Sequence, residues 1–505
     1  MKKIMTRLLS LVLLGAFIPS FVLAETWDLG KGDITVTATE TSQTVSQVNG
    51  ETKDDPDPVI TSNGKTENTV IINAGENATA NVTLENVNID TGTRGGAAIT
   101  TSGEGNVNIE LNGTNTVQSG NTHAGVEKKD NGTLTITDEN KDGSLTATGG
   151  NYGAGIGGGY EGSGSNIAIE GGKVKAIGGT HGAGIGGGFG GSGSNIAIEG
   201  GKVEASSVGG GAGIGGGSIG SGSGITVSGG EVTAQGGVGG AGIGGGQGGS
   251  GSNITISDGK VTATGAGAGA GIGGGYAGSG EGITIEGGEV TARGDAGGAG
   301  IGGGISGTGS DVTISGDAQV KVQGGTTGRD WHKGAAIGNG GTPTTDGNEV
   351  SPNTSDLKVG GFIQIYEPGK NINTDTPDKT IEGQKGDHSW NAGEVTAETV
   401  PESKAAAYWV SDSEGQSIPY QAQQKDGVLT VTVQADTASL RGTTGSLRQL
   451  EAQGVAEIRF VTNGAQSAFT LSDLLTSGTG SFTLTHDGDK ITFTLENTDI
   501  SGILK

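Results

Sequence analysis

The apolar residues of this chain recur with a fixed period of 29 residues. Between residues 150 and 320 the string Gly-Ala-Gly-Ile-Gly-Gly-Gly occurs six times. Its isoleucines are Ile156, Ile185, Ile214, Ile243, Ile272 and Ile301. A fixed period in the twenties is typical of a solenoid, in which each repeat buries its apolar side only by stacking on its neighbours.

Each repeat contains three short segments in which apolar and other residues alternate, at residues 154–156, 167–169 and 174–176 in the first repeat. Because side chains alternate across a strand, each segment offers one apolar edge to a common interior. Glycine and serine fill the corners, where a narrow coil needs positive φ. The pattern predicts an all-β fold, a right-handed parallel β-helix with 29-residue coils. Helical repeats are excluded by the glycine density, and collagen by the wrong glycine spacing.

The same pattern with looser spacing flanks the regular coils. Degenerate copies at Ile99 and Val126 and a last copy at Ile337 give nine coils. From residue 394 the composition becomes that of a globular domain, with a helix at 446–453 and a hairpin turn at Asp487-Gly488. The predicted organisation is a signal peptide at 1–24, an N-terminal cap with irregular coils at 25–98, the β-helix at 99–340, a closing strand and linker at 341–393, and a small α+β domain at 394–505.

Residues 1–24 have the features of a secretory signal peptide, with Lys2, Lys3 and Arg7 followed by an apolar run and small residues at the cleavage position. The run is too short for a spanning helix, and no other segment is longer, so no membrane span is expected. We therefore expect a secreted protein, extracellular or associated with the cell surface. The chain has no cysteine, which excludes disulfides and a lipoprotein anchor.

The chain is strongly acidic, with a formal net charge of −25. Such a chain should be repelled by nucleic acid and by anionic membranes, so neither is an expected partner. Solubility of an elongated surface is one interpretation of the acidity. Calcium-assisted contact with other anionic polymers is the alternative, although no motif supports a calcium site and no cofactor is expected.

Candidates for catalysis are few. The five histidines lie in unrelated sequence contexts, without zinc-ligand spacing, and are expected to be surface or cap residues. They are His123, His181, His332, His388 and His486. Asn373-Thr374-Asp375 echoes a motif of β-helix pectin hydrolases but stands alone in a loop, and Arg94, Arg293 and Arg329 are far apart in sequence. The sequence therefore predicts that the protein is not an enzyme.

Several segments together resemble the glycine-rich repeat proteins that gut Gram-positive bacteria export, described as pectate-lyase-like β-helix or carbohydrate-binding-domain-containing surface proteins. They are Thr-Trp-Asp at 26–28, Gly-Asp-Ile-Thr-Val at 32–36, Gly-Thr-Asn-Thr-Val at 113–117, His-Ala-Gly-Val at 123–126 and the repeated glycine string. The resemblance covers about residues 25–340 and implies the fold, but no catalytic residues. Many such proteins continue into a wall-sorting signal, which residues 501–505 do not contain.

Two function classes follow. The first is a non-enzymatic module that binds a polysaccharide or a cell-surface partner. The second is a polysaccharide lyase or hydrolase with an unrecognised site. An ice-binding solenoid is a third interpretation, but an ice-binding surface needs a flat array of threonines, and this sequence offers only one column of them. The candidate ligand-binding residues stand four positions before or after the motif isoleucines, where stacked coils should bring them together. They are Tyr152, Tyr160, His181, Phe189 and Tyr276.

The recurrent glycines of the string suggest a second surface. Gly153, Gly155 and Gly157 are glycine in all six regular coils and are expected to point outward. Tight curvature that demands glycine is one explanation. The other is a bare face along which two rods self-associate or a polymer approaches the backbone.

Overall fold

The computed structural model describes residues 24–382 and 408–505, apart from short gaps. The gaps are residues 49, 51, 327–331, 355–356, 359–360, 413–417, 419, 426, 445–446, 448–449, 452–453, 479–480, 489 and 496–497. The predicted signal peptide, apart from Ala24, and His388 lie outside the described residues. No helix within the described part is long and apolar enough to cross a bilayer.

The rod is a parallel β-solenoid whose coils contribute strands to three sheets. The first sheet contains Thr26–Asp28, Val59–Thr61, Thr79–Glu85, Asn106–Asn112, Leu134–Thr137, Gly164–Ile169, Gly193–Ile198, Gly222–Val227, Gly251–Ile256, Gly280–Ile285 and Gly309–Ile314. The second contains Asn88–Asp90, Thr114–Gln118, Ser144–Thr148, Lys173–Gly178, Lys202–Ser207, Glu231–Val238, Lys260–Ala266, Glu289–Arg293, Gln319–Gln323, Phe362–Tyr366 and Lys379–Glu382. The third contains Ile34–Ala38, Gln43–Gln47, Lys53–Asp54, Val70–Ala74, Ile99–Gly103, Val126–Lys128, Ile156–Gly157, Ile185–Gly186, Ile214–Gly215, Ile243–Gly244, Ile272–Gly273, Ile301–Gly302 and Ile337–Gly338.

The register follows the sequence period. Ile156 pairs with Ile185 in the third sheet, and the same pairing continues coil by coil to Ile337, across the 36-residue spacing after Ile301. The inward residues of all three segments, such as Ile156, Ile167 and Val174, are buried and form one continuous core. The predicted all-β solenoid, its nine coils from Ile99 to Ile337 and its inward positions are confirmed.

The prediction that the recurrent glycines form an outward face is wrong. Gly153, Gly155 and Gly157 are all buried. A Cβ on Gly153 would lie 2.0 Å from the carbonyl oxygen of His123, and one on Gly157, where φ is +133°, would lie 2.0 Å from that of Gly186. Close approach of neighbouring coils therefore requires glycine here, and these residues offer no surface to a partner.

Both ends of the rod contain antiparallel strands. At the N-terminal end Gln43–Gln47 pairs antiparallel with Ile34–Ala38, and Trp27 Nε1 donates to the buried carboxylate of Asp55 at 2.8 Å. At the other end Phe362–Tyr366 extends the second sheet, as predicted. Lys379–Glu382 then pairs antiparallel with it, although this segment was expected to be loop. These strands cover sheet edges that would otherwise be open to pairing.

The C-terminal domain contains two sheets. One consists of Tyr408–Ser411, Thr437–Thr443, Ser481–Asp487, Lys490–Leu495 and Thr498–Asp499, all antiparallel, and the other of Tyr420–Lys425, Val428–Val433, Glu457–Val461 and Gln466–Thr470. The hairpin across Asp487-Gly488 is confirmed. Leu447, Leu450 and Glu451 of the predicted helix are helical, and Gly454 follows with φ +84°. A short helix, Leu471–Thr476, is capped by Thr470, which accepts from the Asp473 amide. Short 3-10 turns at Leu29–Lys31 and Ser501–Ile503 complete the elements.

The contacts of the recurrent glycines predict that Gly213→Val will destabilise the rod. A Cβ at Gly213 would lie 2.6 Å from the Gly242 carbonyl oxygen and 2.7 Å from the Gln235 nitrogen, all backbone atoms. Overpacking of this kind costs about 1–3 kcal/mol or more. Thermal unfolding should show a clear drop in Tm, while the control Ala197→Val, at a half-buried outward position, should leave Tm nearly unchanged. An unchanged Tm in Gly213→Val would contradict the packing described here.

Candidate functional site

The candidate aromatic residues lie on two kinds of loop that recur in every coil and meet at one corner. The loop from the second sheet to the third carries Tyr152 in one coil and His181 in the next, and the loop from the third sheet to the first carries Tyr160 and then Phe189. Backbone hydrogen bonds connect the loops, since the Phe189 amide donates to the Tyr152 carbonyl at 2.9 Å. Because these loops are rich in glycine, the rings project from a backbone with few competing side chains.

The four rings form one cluster, which we call the ring cluster. Tyr152 stacks on His181 with centroids 5.2 Å apart and 13° between the planes, and Tyr160 stacks on Phe189 at 5.7 Å and 12°. The two stacks meet edge to face, with Tyr152 and Tyr160 centroids 5.5 Å apart at 90°. The predicted neighbours are therefore in contact. Tyr160 is 47% exposed, and the other three rings are half-buried.

Polar groups beside the ring cluster are only partly available. Glu161 hydrogen-bonds to Tyr160, and its charge raises the pKa of the Tyr160 phenol. Asn166 and Asn195 are joined in a ladder, because Asn195 Nδ2 donates to Asn166 Oδ1 at 3.1 Å. His181 Nδ1 is buried and has no hydrogen-bond partner among the described residues.

Tyr276 is not part of the ring cluster. It occupies the same position of the repeat as Phe189, but Ser218 and Gln247 fill that position in the two coils between them. At about 4.8 Å per coil, Tyr276 lies about 14 Å from Phe189 along the rod. It is 36% exposed, and its Cβ lies beside Gly239.

The other histidines differ in their environments. His123 Nδ1 lies 2.7 Å from Oε2 of the buried Glu127, and His332 Nδ1 lies 3.1 Å from Asp346 at the surface. His486 is fully buried in the C-terminal domain, so its prediction as a surface residue is wrong. Its strand, Ser481–Asp487, has a pattern that explains the burial, because His486 continues the alternation of Phe482 and Leu484.

A buried ion pair in the third sheet was not predicted from the sequence. At Val126–Lys128 the regular Ile-Gly-Gly is replaced, and Lys128 pairs with Asp130 inside the rod, both side chains at most 2% exposed. Asp130 Oδ2 and Thr101 Oγ1 are buried without partners within the described chain. In the same described part, no group of three His, Cys, Asp or Glu side chains could hold a metal ion.

A groove of about 450 Å³ on the outer face of the second sheet is a second candidate site. Its lining includes Lys260, Glu289, Arg293, Lys321 and Asn373. Arg293 and Asn373 are far apart in sequence, but the loop after Phe362–Tyr366 returns onto the sheet and brings them to one groove. The groove carries a local excess of positive charge on an otherwise acidic chain.

Comparison with known proteins supports the assignment of the coils. The β-helix repeat family matches six segments of the chain, at residues 141–160, 167–189, 196–218, 225–247, 254–276 and 283–305. No curated protein and no solved structure matches significantly. The regular coils match β-helix repeats, and the rod is a parallel β-helix. This fold is consistent with the pectate-lyase-like class.

The buried histidine predicts a pH-dependent C-terminal domain. His486 Nδ1 lies 3.1 Å from the Thr462 hydroxyl, and Nε2 lies 2.7 Å from the Ser467 hydroxyl. Neutral imidazole satisfies both contacts, and burial lowers the pKa of His486 below 6.5. The unfolded chain therefore binds more protons, and stability should fall as pH drops below about 6.5 until the lower folded pKa is passed.

Hydrogen exchange of the peptide covering Ser481–Asp487 should measure this loss between pH 7 and 5. We expect His486→Gln to flatten the pH dependence, while the control His332→Gln, at an exposed histidine, should retain it. Equal pH profiles for the wild type and His486→Gln would contradict the assignment.

Proposed function

We propose that the chain is an exported, non-enzymatic protein that binds a polysaccharide or cell-surface glycan through the ring cluster. The observation that carries this proposal is the pair of nearly parallel ring stacks at an exposed corner, with Tyr160 47% exposed. Flat aromatic faces suit the apolar faces of sugar rings, and their polar edges suit hydroxyl groups.

The ring cluster lowers the folding stability of the rod, and this supports a functional role for it. Half-exposed rings contribute less burial than core residues, and the unpartnered Nδ1 of His181 is a buried polar atom of the kind that costs about 1–3 kcal/mol. Glycine, serine or glutamine stands at the corresponding positions of the next two coils, which pair with the same register. The coil therefore does not need rings there, and natural sequences break local rules of stability mainly at functional sites.

Export is part of the proposal and is supported by residues 1–24 and by the absence of cysteine from the sequence. The acidic surface supports a glycan partner over nucleic acid, because phosphate backbones would be repelled. The same argument makes a neutral glycan a better partner than an acidic one at this corner.

The proposal predicts that Tyr160→Ala combined with Phe189→Ala will remove glycan binding. Loss of both rings should weaken affinity about fivefold to a hundredfold, since each ring contact contributes about 0.5–1.5 kcal/mol beyond its buried area. A glycan array followed by calorimetry on the best ligand measures this. Tm should shift by only a few degrees because both residues are at the surface. The control Val48→Ser, at a 52% exposed position of the N-terminal end, should bind like the wild type. Retained binding in the double variant would remove the ring cluster as the site.

The alternative, a polysaccharide lyase or hydrolase, would use the groove on the second sheet. Acid-base catalysis needs two or three titratable groups that converge within hydrogen-bond reach. Of the described residues that line the groove, Glu289 alone is acidic, while Lys260, Arg293 and Lys321 are basic. This composition suits an anion-binding surface better than a carboxylate pair.

We therefore predict that pure protein will not cleave polygalacturonate or other acidic glycans, with or without calcium. Release of reducing ends and of unsaturated products, followed over hours, measures this. Steady release that is lost in Arg293→Ala but kept in Tyr160→Ala would establish the enzyme and locate it in the groove.

A further inference from the structure

The corner that carries the ring cluster continues as a strip along the rod. The backbone connects it coil by coil in the same way, because the amides of Ser218, Gln247 and Tyr276 donate to the carbonyls of His181, Gly210 and Gly239. The strip therefore consists of two adjacent columns. One column contains Tyr160, Phe189, Ser218, Gln247 and Tyr276, and the other contains Tyr152, His181, Gly210, Gly239 and Ala268.

Exposed apolar side chains concentrate on this strip. Among the described residues seven large apolar side chains are exposed; four of them lie in these loops, and a fifth, Val238, ends the strand Glu231–Val238 that leads into one of them. They are Tyr160, Val208, Ile219, Val238 and Tyr276, with Val208, Ile219 and Val238 more than 60% exposed. Nothing in the packing of the coils requires apolar residues at these three positions, because the equivalent residues of neighbouring coils include threonine, glycine and alanine.

Between Phe189 and Tyr276 the strip has a trough. Gly210 and Gly239 stand where the first two coils carry Tyr152 and His181, so that column has no side chain of its own there. The exposed side chain of Gln247 lies against both glycines, with Oε1 3.3 Å from a Cβ on Gly210 and Cγ 3.0 Å from a Cβ on Gly239. Ser218 Oγ is 2.7 Å from the same Cβ on Gly210, but this serine is only 4% exposed. Tyr276 closes the far end, 3.3 Å from a Cβ at Gly239.

The strip carries no formal charge over its central coils. From residue 178 to 193, and in the two corresponding loops of each of the next three coils, up to residue 280, the loop positions contain no Asp, Glu, Lys or Arg. By contrast, the neighbouring outer face of the second sheet carries charged pairs such as Lys175 with Glu204 and Lys202 with Glu231. An occupant that matches the strip is therefore uncharged, has apolar faces and hydroxyl groups, and is linear.

Resting on the function proposed above, we infer that the glycan is a neutral, linear polysaccharide that lies along the rod axis, from the ring cluster through the trough to Tyr276. The rings hold one end, Tyr276 holds the other about 14 Å away, and the exposed amide of Gln247 hydrogen-bonds the hydroxyl groups between them. The exposed valines and Ile219 border the chain on its two sides. A chain too short to reach Tyr276 uses the ring cluster alone.

Calorimetry with linear β-1,4-glucan, β-1,4-mannan and β-1,4-xylan oligomers of increasing length tests the inference. For the wild type, affinity should rise with length until the oligomer reaches Tyr276 and then level off. Tyr276→Ala should weaken the longest oligomers about two- to tenfold, as expected for one ring contact, and leave the shortest unchanged. The control Ile71→Ala, at an exposed position outside the strip, should match the wild type at every length.

The possible failures are distinct. If Tyr276→Ala has no effect, or weakens short and long oligomers equally, the extended strip is wrong while glycan binding at the ring cluster stands. If no neutral oligomer binds the wild type, both the extended strip and the preference for a neutral glycan are wrong. Sedimentation provides a further check, because concentration-dependent dimerisation that is lost in Val208→Ser with Val238→Ser would assign the strip to a second copy of the chain and overturn the inference.

Discussion

The rod depends on how closely the backbones of successive coils approach at the third sheet. A Cβ on Gly157 would lie 2.0 Å from the carbonyl oxygen of Gly186, and the same distance recurs in the equivalent position of the next coil. Only glycine fits such a gap, because any other residue has a Cβ. The backbone φ near +130° at these residues also disfavours any residue with a side chain. Within the six regular coils these positions can therefore hold only glycine, while outward positions vary. The flanking coils pair in the same sheet with Glu127 at the glycine position and with a 36-residue spacing before Ile337, so the constraint applies to the regular coils rather than to every coil.

This constraint also determines where the chain can carry charged and other polar side chains. The glycine corner cannot hold charged side chains on its buried positions, so charge accumulates on the outer face of the second sheet, where lysine and glutamate alternate between coils. Exposed pairs of this kind contribute little to stability, typically below about 1 kcal/mol each, and mainly maintain solubility. The few side chains that the corner loops do carry stand on a smooth, neutral background. A single ring there changes the surface more than it would on the charged sheet.

Much of the fold could be predicted from the sequence because period and alternation are direct consequences of strand geometry. Ile156 and Ile185 occupy equivalent positions, so they had to pair, and the stacking of Tyr152 on His181 followed from the same rule. The direction of Gly153 and Gly155 could not be predicted in this way. The third-sheet strand Ile156–Gly157 is only two residues long, so alternation does not extend to residues before it, and the contacts of those residues come from neighbouring coils.

Contacts that form only because a later part of the chain folds back onto the rod could not be predicted from the sequence either. Arg293 and Asn373 are 80 residues apart, and only the path of the loop after Phe362–Tyr366 brings them to one groove. The strand Lys379–Glu382 has polar composition because it lies at an edge, and such strands carry no apolar alternation. His486 could have been recognised, since it occupies an inward position of the strand that begins with Ser481 and Phe482.

The contrast between the interior and the corner strip bears on function. In the core, Ile156 and its equivalents do not vary over six coils, because every coil must fit the same neighbours. At the strip the corresponding column reads tyrosine, phenylalanine, serine, glutamine, tyrosine and isoleucine, on a backbone whose hydrogen bonds are the same throughout. Since the coil spacing fixes these side chains about 4.8 Å apart on a rigid scaffold, little conformational entropy remains to be lost when a ligand binds. A solenoid with a repeating backbone and a varied column of side chains at this corner is therefore suited to recognise a partner that is itself a repeating chain.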